Sequence, residues 1–234
     1  MMKMETCGNG ATPDLTKTRL KAQTFRVRKV AIEPFGCGTL LRQATYVNSL
    51  FSFDPHWPEG FSYHPQFITP DEEKDLYQEI LRIDLHPLIF QGYEAKRKVA
   101  SFGHDWNFQT RTLSKGKTIP KAFEFLIDRV AQQIDVSKER LGELLITEYP
   151  IGAVINWHRD APPFDIIAGM SLLTDCNFRF RPYDKTKQSR KSIISVPLQR
   201  CSLYVMQGSS RSEWEHSIPP LKQVRYSITL RTLK

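Results

Sequence analysis

The chain has 234 residues, of which 40% are hydrophobic and 25% charged, and carries a net charge of +8. This suits one compact domain with a sizeable core and a tail, and favours a polyanionic partner. Cys7, Cys37, Cys176 and Cys201 show no Cys-x-x-Cys spacing, and no apolar run is long enough to span a bilayer, which speaks against zinc-knuckle, disulfide-built and membrane-spanning classes.

Residues 1–54 read as a basic N-terminal extension carrying Lys17, Arg19, Lys21, Arg26, Arg28 and Lys29, with a nucleic-acid arm or a transit peptide as alternatives. Pro55, Pro58 and Gly60 then punctuate the chain ahead of a core domain over 55–234. Thr69-Pro70-Asp71-Glu72 is a helix start: Thr69 can cap, Pro70 suits the first helical position, and Glu72 can close a capping box. Leu76, Ile80 and Ile83 supply the helical stripe. The spacing of Phe123, Leu126, Ile127, Val130 and Ile134 predicts a second helix from Lys121 to about Ile134.

From Leu144 onward the pattern turns to short strands, over 144–149, 153–157, 166–173, 178–181, 193–196 and 202–206. Helices first and antiparallel strands after imply an α+β arrangement, and a double-sheet jelly roll fits it. Arg179, Arg181, Lys185, Lys187, Arg190 and Lys191 surround an expected hairpin tip, either as a solvated loop or as a contact to phosphate. At the C-terminus Val224, Tyr226, Ile228 and Leu230 alternate with Arg225, Ser227, Thr229 and Arg231, the period of a strand with one apolar face. The arginine face needs solvent or a bound carboxylate or phosphate, and alone this segment reads as a solvated edge strand.

His158-Arg159-Asp160 is a His-x-Asp pair whose spacing on a strand points both side chains to one face. His216 follows, nine residues before Arg225. Two histidines and a carboxylate compose the facial triad that holds non-haem Fe(II) and leaves positions open for a 2-oxo acid and dioxygen.

These motifs carry a resemblance. From about Tyr63 to Lys234 the chain resembles the AlkB-like branch of the 2-oxoglutarate and Fe(II)-dependent dioxygenases, most specifically in Arg225-Tyr226-Ser227-Ile228-Thr229-Leu230-Arg231 and in Tyr149-Pro150-Ile151-Gly152-Ala153 followed by His158 and Asp160. The resemblance implies a double-stranded β-helix with helices packed on one sheet and a nucleotide-recognition lid. It implies that His158, Asp160 and His216 hold the iron and form the catalytic centre. It further implies that Arg225 pairs with the distal carboxylate of 2-oxoglutarate, that Tyr149 donates to this cosubstrate, and that Arg231 lies near it or near the target base. Thr147 stands where the family commonly has an asparagine that helps bind 2-oxoglutarate. Pro162 stands where some nucleobase demethylases carry an acid, with Asp165 or Asp175 as substitutes.

The segment Phe102-Gly103…Trp106-x-Phe108 resembles the family's lid, so Phe102, Trp106 and Phe108 are expected to stack on a base, at about 1–3 kcal/mol each, with core aromatics under a loop as the alternative for Phe102 and Trp106, and Arg111 to contact phosphate or stack. The implied activity is oxidative dealkylation of N-alkylated bases in DNA or RNA, single-stranded, by a monomer in the cytoplasm, nucleoid or nucleus. It is coupled to decarboxylation of 2-oxoglutarate to succinate and releases formaldehyde. The alternatives are a 2-oxoglutarate-dependent hydroxylase of a protein or small molecule, and a non-catalytic nucleic-acid-binding β-fold.

Overall fold

The computed structural model describes residues 56–234 apart from Gln91 and Phe108, so the basic extension and the stacking role expected of Phe108 lie outside the described residues. The elements are β1 (Phe61–His64), α1 (Pro70–Ile80), β2 (His86–Phe90), β3 (Tyr93–Asn107), β4 (Thr112–Lys115), α2 (Glu124–Gln133), β5 (Leu141–Tyr149), β6 (Ile155–His158), β7 (Phe164–Leu172), β8 (Cys176–Pro182), β9 (Ile194–Leu198), β10 (Ser202–Met206), α3 (Ser209–Ser212), β11 (Trp214–Ile218) and β12 (Arg225–Leu233).

Eight strands form one antiparallel sheet in the order β1-β10-β7-β12-β5-β3-β2, with β4 paired to β3, and four form a second in the order β6-β11-β8-β9. Helices α1 and α2 pack on one face of the large sheet through Leu76, Ile80, Leu126 and Val130, against Leu144, Ile146, Ile228 and Leu230. The other face packs on the small sheet through a second cluster that includes Tyr149, Phe164, Phe178, Phe180 and Tyr204. This is the two-sheet jelly roll with helices on one sheet.

The start of α1 is built as its residues dictate. Thr69 Oγ1 accepts from the Glu72 amide at 3.2 Å, and a Glu72 carboxylate oxygen accepts from the Thr69 amide at 2.8 Å. The same carboxylate takes two bonds from Arg129 of α2, at 2.6 and 3.0 Å, and so ties the helices together. The second helix begins as a 3₁₀ turn, Lys121–Phe123, before α2 proper.

Two expectations change. Strands do not all follow the helices: β1 precedes α1, and β2–β4 lie between α1 and α2. Their charged stretch, Glu94-Ala95-Lys96-Arg97-Lys98, lacks the apolar alternation of an inner strand because β3 lies one strand from the sheet's edge. The C-terminal strand is no solvated edge. β12 lies between β5 and β7, so Tyr226, Ile228 and Leu230 face the helices while Arg225, Ser227, Thr229 and Arg231 face the space between the sheets.

Gly103 redirects β3. Up to that residue β3 pairs with β5, and beyond it pairs with β4. Its φ is +81°, and a Cβ there would sit 2.3 Å from the Gly142 carbonyl oxygen. The backbone reversal puts Ala100 and Phe102 in the helix-side core but packs Trp106 against the inter-sheet cluster.

Gly103→Ala is therefore expected to destabilise the fold by about 1–3 kcal/mol, read as a lower urea midpoint; an unchanged midpoint contradicts the assigned backbone constraint. The Arg129 hydrogen bond is the main cause that pulls the Glu72 carboxyl from 4.5 down to about 2. Because the folded value is the lower one, the pair's contribution is full above pH 4.5 and is lost as pH falls toward 2. Glu72→Gln should flatten that acid limb and cost at most about 1 kcal/mol at neutral pH, since both partners reach solvent; an acid limb as steep as wild type would contradict the assignment.

Candidate active site

The metal-ligating side chains converge because β6 and β11 are neighbours. His158 and His216 are register partners, with ring centroids 4.3 Å apart. Asp160 follows just past the end of β6, and one ligand atom from each of the three lies within 4.8 Å of the others. His158 Nδ1 bonds the Asn156 carbonyl at 2.9 Å; a carbonyl can only accept, so Nδ1 is the donor and Nε2 is the nitrogen left for a metal. His216 is buried and stacks on Phe178 at 5.1 Å.

Burial pushes the His216 imidazole down to about 3, which keeps it neutral and able to ligate. Burial also opposes ionisation of Asp160, but His216, Arg231, His158 and Arg211 outweigh it and hold the carboxyl well below its usual range. With His216 neutral, the arginines carry that effect: Arg231 Nη2 lies 3.4 Å and Arg211 Nη1 3.6 Å from the carboxylate. Arg211 is itself fixed by the carbonyls of Asp165 and Phe164, at 3.0 and 2.8 Å. Two imidazoles and an ionised carboxylate are a donor set suited to Fe(II).

Beside the triad, the inner face of the large sheet is floored by small residues at positions where a packed sheet would carry bulky ones. Thr147 on β5, Gly169 and Ser171 on β7, and Ser227 and Thr229 on β12 share it. Arg225 opens onto this floor at 1% exposure. Its Nε donates to Ser171 Oγ at 3.1 Å, its guanidinium lies 5.1 Å from the Tyr149 ring centroid, and its Nη1 has no partner among the described residues. Tyr149 OH and Ser227 Oγ are 3.4 Å apart.

Arg231 Nη1 donates to Glu143 at 2.7 Å and its buried Nε also lacks a partner among the described residues. Leaving a buried cation's N–H groups unmatched is costly. Two such groups bracketing a small-residue floor fit a ligand with two anionic ends, as 2-oxoglutarate has.

Of the residues expected to contact substrate, the structure brings Trp106 to the inter-sheet cluster and leaves Arg111 exposed at the β3–β4 turn, in the left-handed region at φ 56°. Asn107 Oδ1 braces that turn by accepting from the Gln109 and Thr110 amides at 2.9 and 3.0 Å. Phe102 is corrected: at 6% exposure it belongs to the helix-side core, the face opposite the triad. Arg179 and Arg181 lie on β8 rather than at a hairpin tip. They bond Ser217 and Glu215 and sit over Trp157, while the turn residues Lys185, Lys187, Arg190 and Lys191 are exposed, with Lys187 3.8 Å from Asp184. Asp165 lies 4.0 Å from Arg140 and Asp175 accepts from the Arg200 amide, so each has its own partner.

Glu143, Ser171, Tyr204 and Arg211 are site residues that sequence reading missed. No motif marks them: strand register brings Glu143, Ser171 and Tyr204 to the site, and α3 carries Arg211 there.

Arg225→Met should weaken 2-oxoglutarate binding more than tenfold by calorimetry while leaving Mn(II) binding near wild type, since the triad lies on other strands. His158→Ala should abolish Mn(II) binding and, because the 2-oxo acid also ligates the metal, weaken 2-oxoglutarate binding with it. Loss of Mn(II) affinity in Arg225→Met would contradict the separation of the two subsites.

The 2OG-Fe(II) oxygenase superfamily model matches residues 60–231. Mouse tRNA (carboxymethyluridine(34)-5-O)-methyltransferase ALKBH8 is 28% identical over 171 residues, covering 70% of this chain and 25% of that protein. Human DNA oxidative demethylase ALKBH2 is 28% identical over 156 residues, covering 60% of this chain and 58% of that protein. The chain thus spans less than two thirds of either relative. The solved structure of OsALKBH1 superposes with a TM-score of 0.59 at 15% identity, over 75% of this chain and 97% of that one, and shows the same double-stranded β-helix. With His158, Asp160 and His216 gathered beside Arg225, this match means that the chain belongs to the 2OG-Fe(II) oxygenase superfamily, as an AlkB-like 2-oxoglutarate and Fe(II)-dependent dioxygenase.

Proposed function

We propose that the protein oxidatively removes alkyl groups from the ring nitrogens of nucleic-acid bases, acting on single-stranded DNA or RNA. The observation that carries this reading beyond a generic oxygenase is the β3–β4 hairpin. It brings Trp106 to the cluster that also holds Ala161, the chain neighbour of Asp160, and displays Arg111 at its exposed turn. An aromatic face and a cation on one hairpin suit an unpaired base and its phosphate. The net charge of +8 and the tRNA and DNA activities named for the two relatives support the same substrate class.

Bound Fe(II), with 2-oxoglutarate and dioxygen, supplies the oxidising power: one oxygen atom enters succinate as CO₂ leaves, and the other hydroxylates the N-alkyl carbon. The chain's residues set up that chemistry. His158, Asp160 and His216 would hold the metal, as two imidazoles and one carboxylate that leave coordination positions for the cosubstrate. Arg225 holds one carboxylate of the diacid, with Tyr149 and Ser227 beside it. Arg211 and Arg231 hold Asp160 ionised and oriented. The hydroxylated N-methyl group then breaks its C–N bond, the base regains N–H, and formaldehyde leaves.

The test is formaldehyde release from oligonucleotides bearing 1-methyladenine or 3-methylcytosine, single- and double-stranded, with Fe(II), 2-oxoglutarate and ascorbate under air. Release that requires 2-oxoglutarate, falls with added salt and drops at least tenfold in Trp106→Ala is the expected result. Succinate without formaldehyde on every oligonucleotide would contradict the nucleobase reading and favour a protein or small-molecule hydroxylase. Oligonucleotide binding with neither product would instead favour a non-catalytic binding module.

A further inference from the structure

Tyr204 lies on β10 directly opposite Gly169 of β7. A Cβ at position 169 would meet the Tyr204 ring and hydroxyl at 2.2–2.4 Å, so the ring lies across bare backbone where any side chain would block it. The β12 residue in register with Gly169 is Thr229, which falls between Arg225 and Arg231. The phenol is thereby carried over β7 toward the floor that separates the two arginines. Tyr204 is 8% exposed.

As a space-filler this position calls for phenylalanine. Phe61, Phe178 and Phe180 belong to the same cluster, with Phe178 4.9 Å from the Tyr204 ring. A phenol there instead places a hydroxyl on the inner face of the sheet, where it makes no hydrogen bond among the described residues. Burial raises its pKa above the ordinary range, with Tyr149 and Asp160 acting in the same direction and Arg225 and Arg231 against. The group therefore stays neutral, a donor on the same face as the two arginines.

We propose that Tyr204 is a positioning and size-selecting residue for the cosubstrate: its hydroxyl donates to a carboxylate of the bound 2-oxo diacid beside the free Nη1 of Arg225, and its ring over Gly169 limits the length of diacid admitted. The small residue on β7 and the large one on β10 act as a pair. Gly169 makes room for the ring, and the ring takes room from the ligand.

The test is binding in the absence of any substrate or turnover, so its failure is separate from failure of the nucleobase reading. Mn(II)-loaded full-length protein is titrated calorimetrically with 2-oxoglutarate and with 2-oxoadipate, one methylene longer. Tyr204→Phe keeps the ring and removes only the hydroxyl. It should raise the 2-oxoglutarate Kd about tenfold, the loss expected for one hydrogen bond to a charged group, with Mn(II) affinity and Tm unchanged. Tyr204→Leu should in addition shift preference toward 2-oxoadipate at least fivefold. A Tyr204→Phe Kd within twofold of wild type would overturn the hydroxyl's role, and an unchanged preference in a folded Tyr204→Leu would overturn the ring's. Parallel loss of Mn(II) affinity in Tyr204→Phe would reduce Tyr204 to a structural residue and also overturn the proposal.

Discussion

A cation buried in the middle of a sheet is the constraint around which this site is organised. Arg225 is almost wholly removed from water, and within the described residues only its Nε has a hydrogen-bond acceptor. Stripping a guanidinium of water is tolerable when its N–H groups are matched, and the protein matches them only in part. The small-residue floor follows from that incompleteness. Ser171, Ser227 and Thr147 put small polar side chains on this face, and Gly169 gives its space to the Tyr204 ring.

The triad solves the complementary problem. Asp160 must remain ionised although it is buried, and it must point at the metal rather than at the nearest cation. Arg211 and Arg231 meet both needs by standing off at 3.6 and 3.4 Å instead of closing a tight bidentate pair. Each has a stronger commitment elsewhere, Arg211 to backbone carbonyls and Arg231 to Glu143 at 2.7 Å. Glu143 also accepts from Ser101 of β3 at 3.0 Å. The carboxylate ligand is thus linked through Arg231 and Glu143 to the strand that continues past Gly103 into the hairpin bearing Trp106. Metal site and hairpin share one polar network.

Much of this was legible from local signals. The Thr69–Glu72 capping box, the helical stripe through Val130, and the period-two alternation of β12 are written in adjacent residues and need no tertiary context. His158-x-Asp160 and the spacing from His216 to Arg225 were equally plain, because a facial triad leaves few other uses for those residue types. What was not legible depends on who sits opposite whom. Phe102 and Trp106 have the same parity on a strand, and only the positive φ of Gly103 sends them to opposite faces. Tyr204 looks like any aromatic on an inner strand until Gly169 is found beneath it. Strand β3 hides behind its lysines, arginine and glutamate because a strand one place from the edge of a sheet does not require apolar alternation.

A crystal structure of the protein soaked with Mn(II) and 2-oxoglutarate tests the central claim most directly. The account predicts metal density among His158, Asp160 and His216, and a carboxylate within hydrogen-bonding distance of Arg225 Nη1, the nitrogen without an acceptor among the described residues. Metal elsewhere, or a diacid that leaves Nη1 unpaired, would contradict it.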